Sequence, residues 1–373
     1  PLTFEPKGGS EDNTVQIKAK VASGGVKGKF KFTLYDVSEE PGYCLNAPKT
    51  LPSSGEDSTS WKDLQFLSDQ SGFTVSGANN ETAETTANDL SEATVTVKSF
   101  DYGSYGRIKV EFTTQDGSFT CTGKEEGGTK EYTNVPLDDD NNHIWDGWAY
   151  NGSVSNPGIE YEDDDSDPNE AGINGDCLSL YEEYRGFVKF WGAGYSHFRT
   201  DPTKKDVFIL DKAQVGVGYF TQLGYEVHIA YESHGTVDDN QRINFNNRTA
   251  NLKDMYSILL KKYDSQGGAP GLTTGKIDTK AVCNFDFTKP EQIWAPDDTN
   301  LQTAFKNLII GHELGHAVYL SPPGVPVGDG HMSPKNCIMD QFINPYVYPP
   351  SNYCSILGSD GYICRQHHSV RGQ

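Results

Sequence analysis

The chain reads as a multi-domain protein with an N-terminal all-β sandwich, an acidic connector, and a C-terminal domain of mixed α and β structure. Three observations predict this order. Short alternating strand patterns separated by turn residues fill residues 1–136, acids crowd residues 137–200, and strand patterns mix with helical periodicity over residues 201–373. At 373 residues the chain is long enough to bury more than one core of ordinary size.

Within the first segment, residues 14–21, 29–35, 93–100 and 107–114 alternate apolar with polar side chains, and Gly, Ser, Asn and Asp lie between them. Regular spacing without a long helical pattern predicts an antiparallel sandwich, and the segment resembles the immunoglobulin-like modules of bacterial surface proteins. It contains no histidine before His143 and no catalytic constellation, so spacing or binding is its expected role.

Asp and Glu number 52 against 31 Lys and Arg, a formal charge of −21. That sign argues against nucleic acid and against anionic lipid surfaces as partners. No apolar run approaches the roughly 20 residues that a membrane-spanning helix needs, so no membrane insertion is expected. The start, Pro1-Leu2-Thr3-Phe4, carries no signal-peptide pattern and reads as processed. Seven cysteines and 20 tyrosines, with abundant Gly, Asn, Ser and Thr, fit a secreted or cell-surface protein. An odd number leaves at least one thiol outside any intrachain disulfide. Cys44 and Cys121 are the expected pair, because the first domain holds no other cysteine.

The acids of the connector cluster in two runs, which points to calcium. Laid on the twelve-residue calcium-loop pattern, Asp138, Asp140 and Asn142 take positions one, three and five, with Ile144 and Asp146 at seven and nine. Oxygen ligands at alternate positions can wrap one hard cation. Position twelve is Ala149 instead of a bidentate Glu, so a further ligand has to come from elsewhere. A second run places Asn174, Asp176 and Glu183 at positions three, five and twelve, with Gly172 at one and Cys177 at six. The phrase Gly175-Asp176-Cys177-Leu178-Ser179-Leu180-Tyr181-Glu182-Glu183 resembles the degenerate calcium repeats of secreted bacterial proteins. The competing reading is a hydrated acidic linker.

In the last segment, residues 206–210, 224–231 and 280–287 read as strands and residues around 252–263 as a helix. Over residues 301–320, Phe305, Leu308, Ile309, Leu314, Ala317 and Val318 recur at helical spacing, and Ser321-Pro322-Pro323-Gly324 ends the helix. His312 and His316 are four residues apart on it. At about 3.6 residues per turn they share one face, within reach of a single zinc ion. Glu313, one step round, is placed to hold a zinc-bound water and take its proton without ligating the metal.

Downstream the chain reads Gly328-Asp329-Gly330-His331 and then Cys337-Ile338-Met339. Together with His312-Glu313-Leu314-Gly315-His316, this resembles the metzincin zinc metallopeptidases, and the spacing from His331 to Met339 is most like their archaemetzincin branch. The resemblance covers about the last 70 residues. It implies a third zinc-ligating histidine and a methionine turn beneath the metal. The family's position for that ligand is Pro322 here, which cannot ligate zinc, so His331 is the expected ligand and Asp329 its alternative. A proline-rich insertion would then loop out before it. Met339 takes the place of the methionine turn. Archaemetzincins also hold a second zinc on four cysteines, whereas this chain offers Cys337, Cys354 and Cys364 with His367 or His368, and Met332 stands where the first cysteine belongs. A disulfide among the three is the expectation. Tyr346 or Tyr348 could stabilise an oxyanion.

The resemblance implies an endopeptidase acting on protein or peptide substrates, with zinc at the catalytic centre; the composition points to a secreted or cell-surface protein and the acidic runs to calcium as a structural ion. Two alternatives stay open: a calcium-dependent adhesion protein with an idle peptidase-like domain, and a zinc domain held latent by a thiol or an N-terminal segment. His143, His197, His228 and His234 lack metal spacing to one another and are expected on the surface or in core packing. There is no Gly-x-Ser-x-Gly elbow and no phosphate-binding glycine loop. Nothing in the sequence speaks to oligomeric state.

Overall fold

A computed structural model describes residues 4–7, 13–22, 24–39, 62–148, 178, 180–191, 194–202, 204, 206–215, 226–230, 241, 243, 256–262, 271–274, 281–285, 309–314 and 317. The first part contains strands β1 (Thr14–Lys20), β2 (Gly28–Tyr35), β3 (Leu64–Phe66), β4 (Phe73–Ser76), β5 (Thr82–Thr85), β6 (Glu92–Ser99), β7 (Gly106–Thr114), β8 (Thr120–Thr122) and β9 (Thr133–Val135). One sheet runs β1-β6-β3 and the other β4-β5-β2-β7-β8, with β9 also paired to β7. All these pairings are antiparallel.

Alternation decides which face is buried. On β2 the side chains of Phe30, Phe32 and Leu34 point into the core while Lys31 is exposed. They meet Ile17, Val95 and Val97 of the facing sheet in one apolar cluster that also takes in Leu64, Phe66, Ile108 and Val135. Each such side chain removed from water contributes about 1.5–3 kcal/mol. A one-residue slip of β2 against β7 would put its lysines inward, so the register Phe32↔Val110 is held by the pattern itself.

Next come helix α1 (Leu180–Arg185) and an antiparallel hairpin of β10 (Phe187–Trp191) and β11 (Gly194–Phe198). The last sheet comprises β12 (Asp206–Asp211), β13 (Glu226–Ala230), β14 (Ile258–Lys262), β15 (Gly271–Thr274) and β16 (Val282–Phe285), in the order β13-β12-β14-β16-β15. Its pairings are parallel except for β15 with β16. Every residue of β12 is buried, as a central parallel strand requires. The expected helix over 252–263 is corrected: residues 258–262 form β14. The run Ile258-Leu259-Leu260 is too short for its period to tell strand from helix, and flanking parallel strands decide it. Residues 309–314 are helical, in line with the expected helix over 301–320. No helix among the described residues is long and apolar enough to cross a membrane.

One ion pair ties the sandwich to α1 and the hairpin after it. Arg185, at the end of α1, donates from Nε to Asp101 Oδ1 at 2.8 Å and from its second nitrogen to Oδ2, and both side chains are 0 % exposed. Asp101 Oδ1 also accepts the Gly103 N–H at 2.7 Å. Gly103 is glycine for want of room, since a Cβ there would lie 2.7 Å from Arg185 Cγ and 2.9 Å from Tyr181 Oη. Arg199 adds a second clamp, donating to Tyr184 O, to the Glu5 carboxylate and, at 3.1 Å, to Tyr102 O. Beyond the clamp, Phe187 packs against Phe208 of β12, carrying the contact into the mixed sheet. Removing one partner of a fully buried pair strands the other charge. Arg185→Ala should therefore destabilise the protein by about 3–5 kcal/mol in urea unfolding, and a loss below about 1 kcal/mol would contradict this role.

Candidate functional site

Two of the residues expected at a zinc centre are described. His312 is half-buried and Glu313 is 6 % exposed, on the helical turn whose Ile309, Ile310, Leu314 and Ala317 are buried. That turn lies against β15, the last strand of the mixed sheet among the described residues. Thr273 Oγ1 on β15 donates to Glu313 Oε2 at 2.6 Å, within the range of a charge-assisted hydrogen bond. It also lies 2.9 Å from Glu313 O, which accepts from Cys283 Sγ on β16 at 3.6 Å. Gly271 faces the carboxylate so closely that a Cβ would come within 2.4 Å of Oε1. The result is a buried carboxylate pinned between a helix and an antiparallel strand. His316, His331, Asp329, Met339, Tyr346, Tyr348, Met332, Cys337, Cys354, Cys364, His367 and His368 lie outside the described residues.

The second constellation is the acidic loop after β9. Asp138 is 5 % exposed, and oxygens of Asp138, Asp140 and Asp146 all lie within 4.8 Å of one another. A calcium ion bound at about 2.3–2.6 Å to each oxygen spans ligands up to about 5 Å apart, so the spacing suits one ion. The backbone wraps toward the acids. Asp138 accepts the N–H groups of Asn142 at 3.1 Å and His143 at 3.2 Å, and Asp146 accepts that of Asp139 at 3.0 Å. Asn142 turns its Oδ1 to the Ile144 N–H at 2.8 Å. Position six of the loop, His143, has a φ of 67°, the left-handed conformation that glycine supplies in calcium loops. Stacking on Tyr105, with ring centroids 3.9 Å apart, holds it there. Burial, and then the neighbouring Asp140, push the Asp138 carboxyl up to about 6.

Of the second acidic run, Asn174 and Asp176 lie outside the described residues. Glu183 is buried in α1, with its carboxyl close enough to that of Asp206 to influence its protonation. Asp206 in turn bonds His228, whose ring sits between Phe198 and Phe208. Burial raises the Asp206 carboxyl, and the His228 contact opposes that shift. His197 is stacked on Tyr102 and donates from Nε2 to Arg185 O at 2.6 Å. Burial, reinforced by the Arg199 charge, drives it down to about 3, so it stays neutral. His234 lies outside the described residues. The disulfide expected between Cys44 and Cys121 is not made at Cys121, a free and exposed thiol on β8, and Cys44 lies outside the described residues.

Sequence reasoning missed Thr273 and Gly271. A lone Gly-Leu-Thr-Thr has no signature, and only the sheet order brings it to the helix. Compared with known proteins, the chain matches no family model, no curated protein and no solved structure.

The Asp138 carboxyl binds its proton more tightly folded than unfolded, where its value is about 3.9. Its contribution to stability is therefore full below about pH 4 and is lost as the pH rises through about 6. In chelator, wild type should lose stability over that window relative to Asp138→Asn. Parallel pH curves for the two in denaturant unfolding would contradict the burial argument.

Proposed function

We propose that the chain is a zinc-dependent endopeptidase whose general base is Glu313. The observation that carries the reading is a buried carboxylate, next to a histidine on one helical turn, held against a strand of a mixed sheet. The donor set suits zinc: imidazole nitrogen is among its preferred ligands, and Thr273 engages the neighbouring carboxylate. His312, His316 and His331 would hold the ion, with Asp329 as the alternative to the last. Bound there, zinc would polarise a carbonyl oxygen and lower the pKa of water to about 7. Glu313 takes the proton of the attacking water on its carboxylate and hands it to the leaving amine nitrogen as the peptide bond breaks. The His-Glu-x-x-His spacing on the helix supports a peptide as the substrate class.

We propose calcium as a second, structural ion on Asp138, Asp140 and Asp146. Three clustered acids, the buried Asp138 among them, are stabilised by a divalent cation and repel one another without it. Ile144 and Trp148 of the same loop pack on Leu180, Tyr181 and Tyr184 of α1, so an ordered loop supports the connector.

Two measurements check these readings. Glu313→Ala should lower turnover of a casein or peptide substrate by at least about a hundredfold while keeping zinc, and full activity in that variant would end the general-base assignment. Calcium should raise the thermal midpoint of wild type but not of Asp138→Ala. Equal responses would remove the loop as the binding site.

A further inference from the structure

Thr273 is the residue that the geometry singles out beyond the zinc motif. It sits on β15, 40 residues before Glu313, and meets it only because the antiparallel strand runs beside the helix. A threonine hydroxyl has one proton to donate. Two oxygens of Glu313 are in reach, the carboxylate Oε2 at 2.6 Å and the backbone O at 2.9 Å. The Cys283 thiol, whose residue is the register partner of Thr273, also donates to that backbone oxygen and lies 3.5 Å from the hydroxyl as a weak acceptor. The hydroxyl proton therefore goes to the carboxylate, which is both the closer and the charged acceptor. On the other side, the missing side chain of Gly271 leaves room for Oε1 and the carboxylate carbon, which a Cβ would meet at 2.4 and 2.8 Å. The carboxylate is thus fixed by a donor at one oxygen and by a wall of backbone at the other.

We infer that Thr273 is a positioning residue for the general base: its hydroxyl holds the Glu313 carboxylate in the orientation that meets the attacking water, with Gly271 providing the space. The inference rests on the zinc-peptidase reading of Glu313. A side chain already fixed by packing and a supporting hydrogen bond spends no entropy in reaching its working geometry, and misplacement of a catalytic group by about 1 Å can lower rate about a hundredfold. Valine at 273 keeps the shape of threonine and removes the donor; serine keeps the donor and removes the methyl.

The test compares wild type, Thr273→Val and Thr273→Ser as full-length zinc-loaded proteins, measuring kcat and KM on one fluorogenic peptide. Zinc content, thermal midpoint and the Kd of a peptide hydroxamate, which passes its hydroxyl proton to the same carboxylate, are measured alongside. Thr273→Val should lower kcat about 10- to 100-fold and weaken the hydroxamate about tenfold, with KM within about twofold and zinc retained. Thr273→Ser should recover kcat to within about threefold of wild type. If valine instead costs zinc or thermal stability, serine decides: recovered turnover upholds the role, and turnover as low as that of valine overturns it. Wild-type kcat and hydroxamate affinity in Thr273→Val overturn the inference alone, whereas a zinc-loaded wild type that cleaves no peptide overturns the peptidase reading and this inference with it.

Discussion

The buried pair of Arg185 and Asp101 is the constraint on which the other contacts between the sandwich and the rest of the chain depend. Two fully desolvated charges are tolerated only when their geometry and their remaining hydrogen bonds are good, which demands that α1 be seated on the loop after β6 in one position. Gly103 gives the room, Asp101 takes its N–H, and Tyr181 donates to its carbonyl at 3.0 Å. With α1 seated, three contacts are set along the chain. Tyr181 and Tyr184 receive the indole and isoleucine of the acidic loop, Glu183 reaches Asp206 at the start of β12, and the hairpin of β10 and β11 lays Phe187 on Phe208.

That arrangement links the acidic loop to the mixed sheet through packed side chains. The loop presses Ile144 and Trp148 on one side of α1, and the mixed sheet begins two strands later. Ordering the loop with a cation would favour the seated helix, and the helix in turn favours the buried pair. The Glu313 site lies against the same sheet, on β15, whose neighbour β16 joins it to β14 and β12. Each link is a contact between named residues, so the coupling can be taken apart by substitution and measured by double-mutant cycles.

The parts legible in the sequence are those governed by local period. Strands such as β1, β2, β6 and β7 declare themselves because Phe30, Phe32 and Leu34, or Val95 and Val97, repeat every second residue over one buried face. The alternating acids at 138, 140 and 146 likewise carry their spacing in the chain. What escaped the sequence depends on distance or on context. Asp101 and Arg185 are 84 residues apart, and either alone reads as a surface charge. The short run at 258–260 became a parallel strand because β12 and β16 flank it. His143 takes a left-handed backbone that its identity does not announce, held by stacking on Tyr105. Thr273 is anonymous until the sheet order sets it beside Glu313.

The proposed zinc belongs at the helical turn of His312 and Glu313. Elemental analysis of the purified full-length chain, dialysed free of loose metal, addresses it most directly, with His312→Ala as the companion sample. The account predicts close to one zinc per chain in wild type and none retained by the variant. Wild type without zinc, or equal zinc in both, would contradict it.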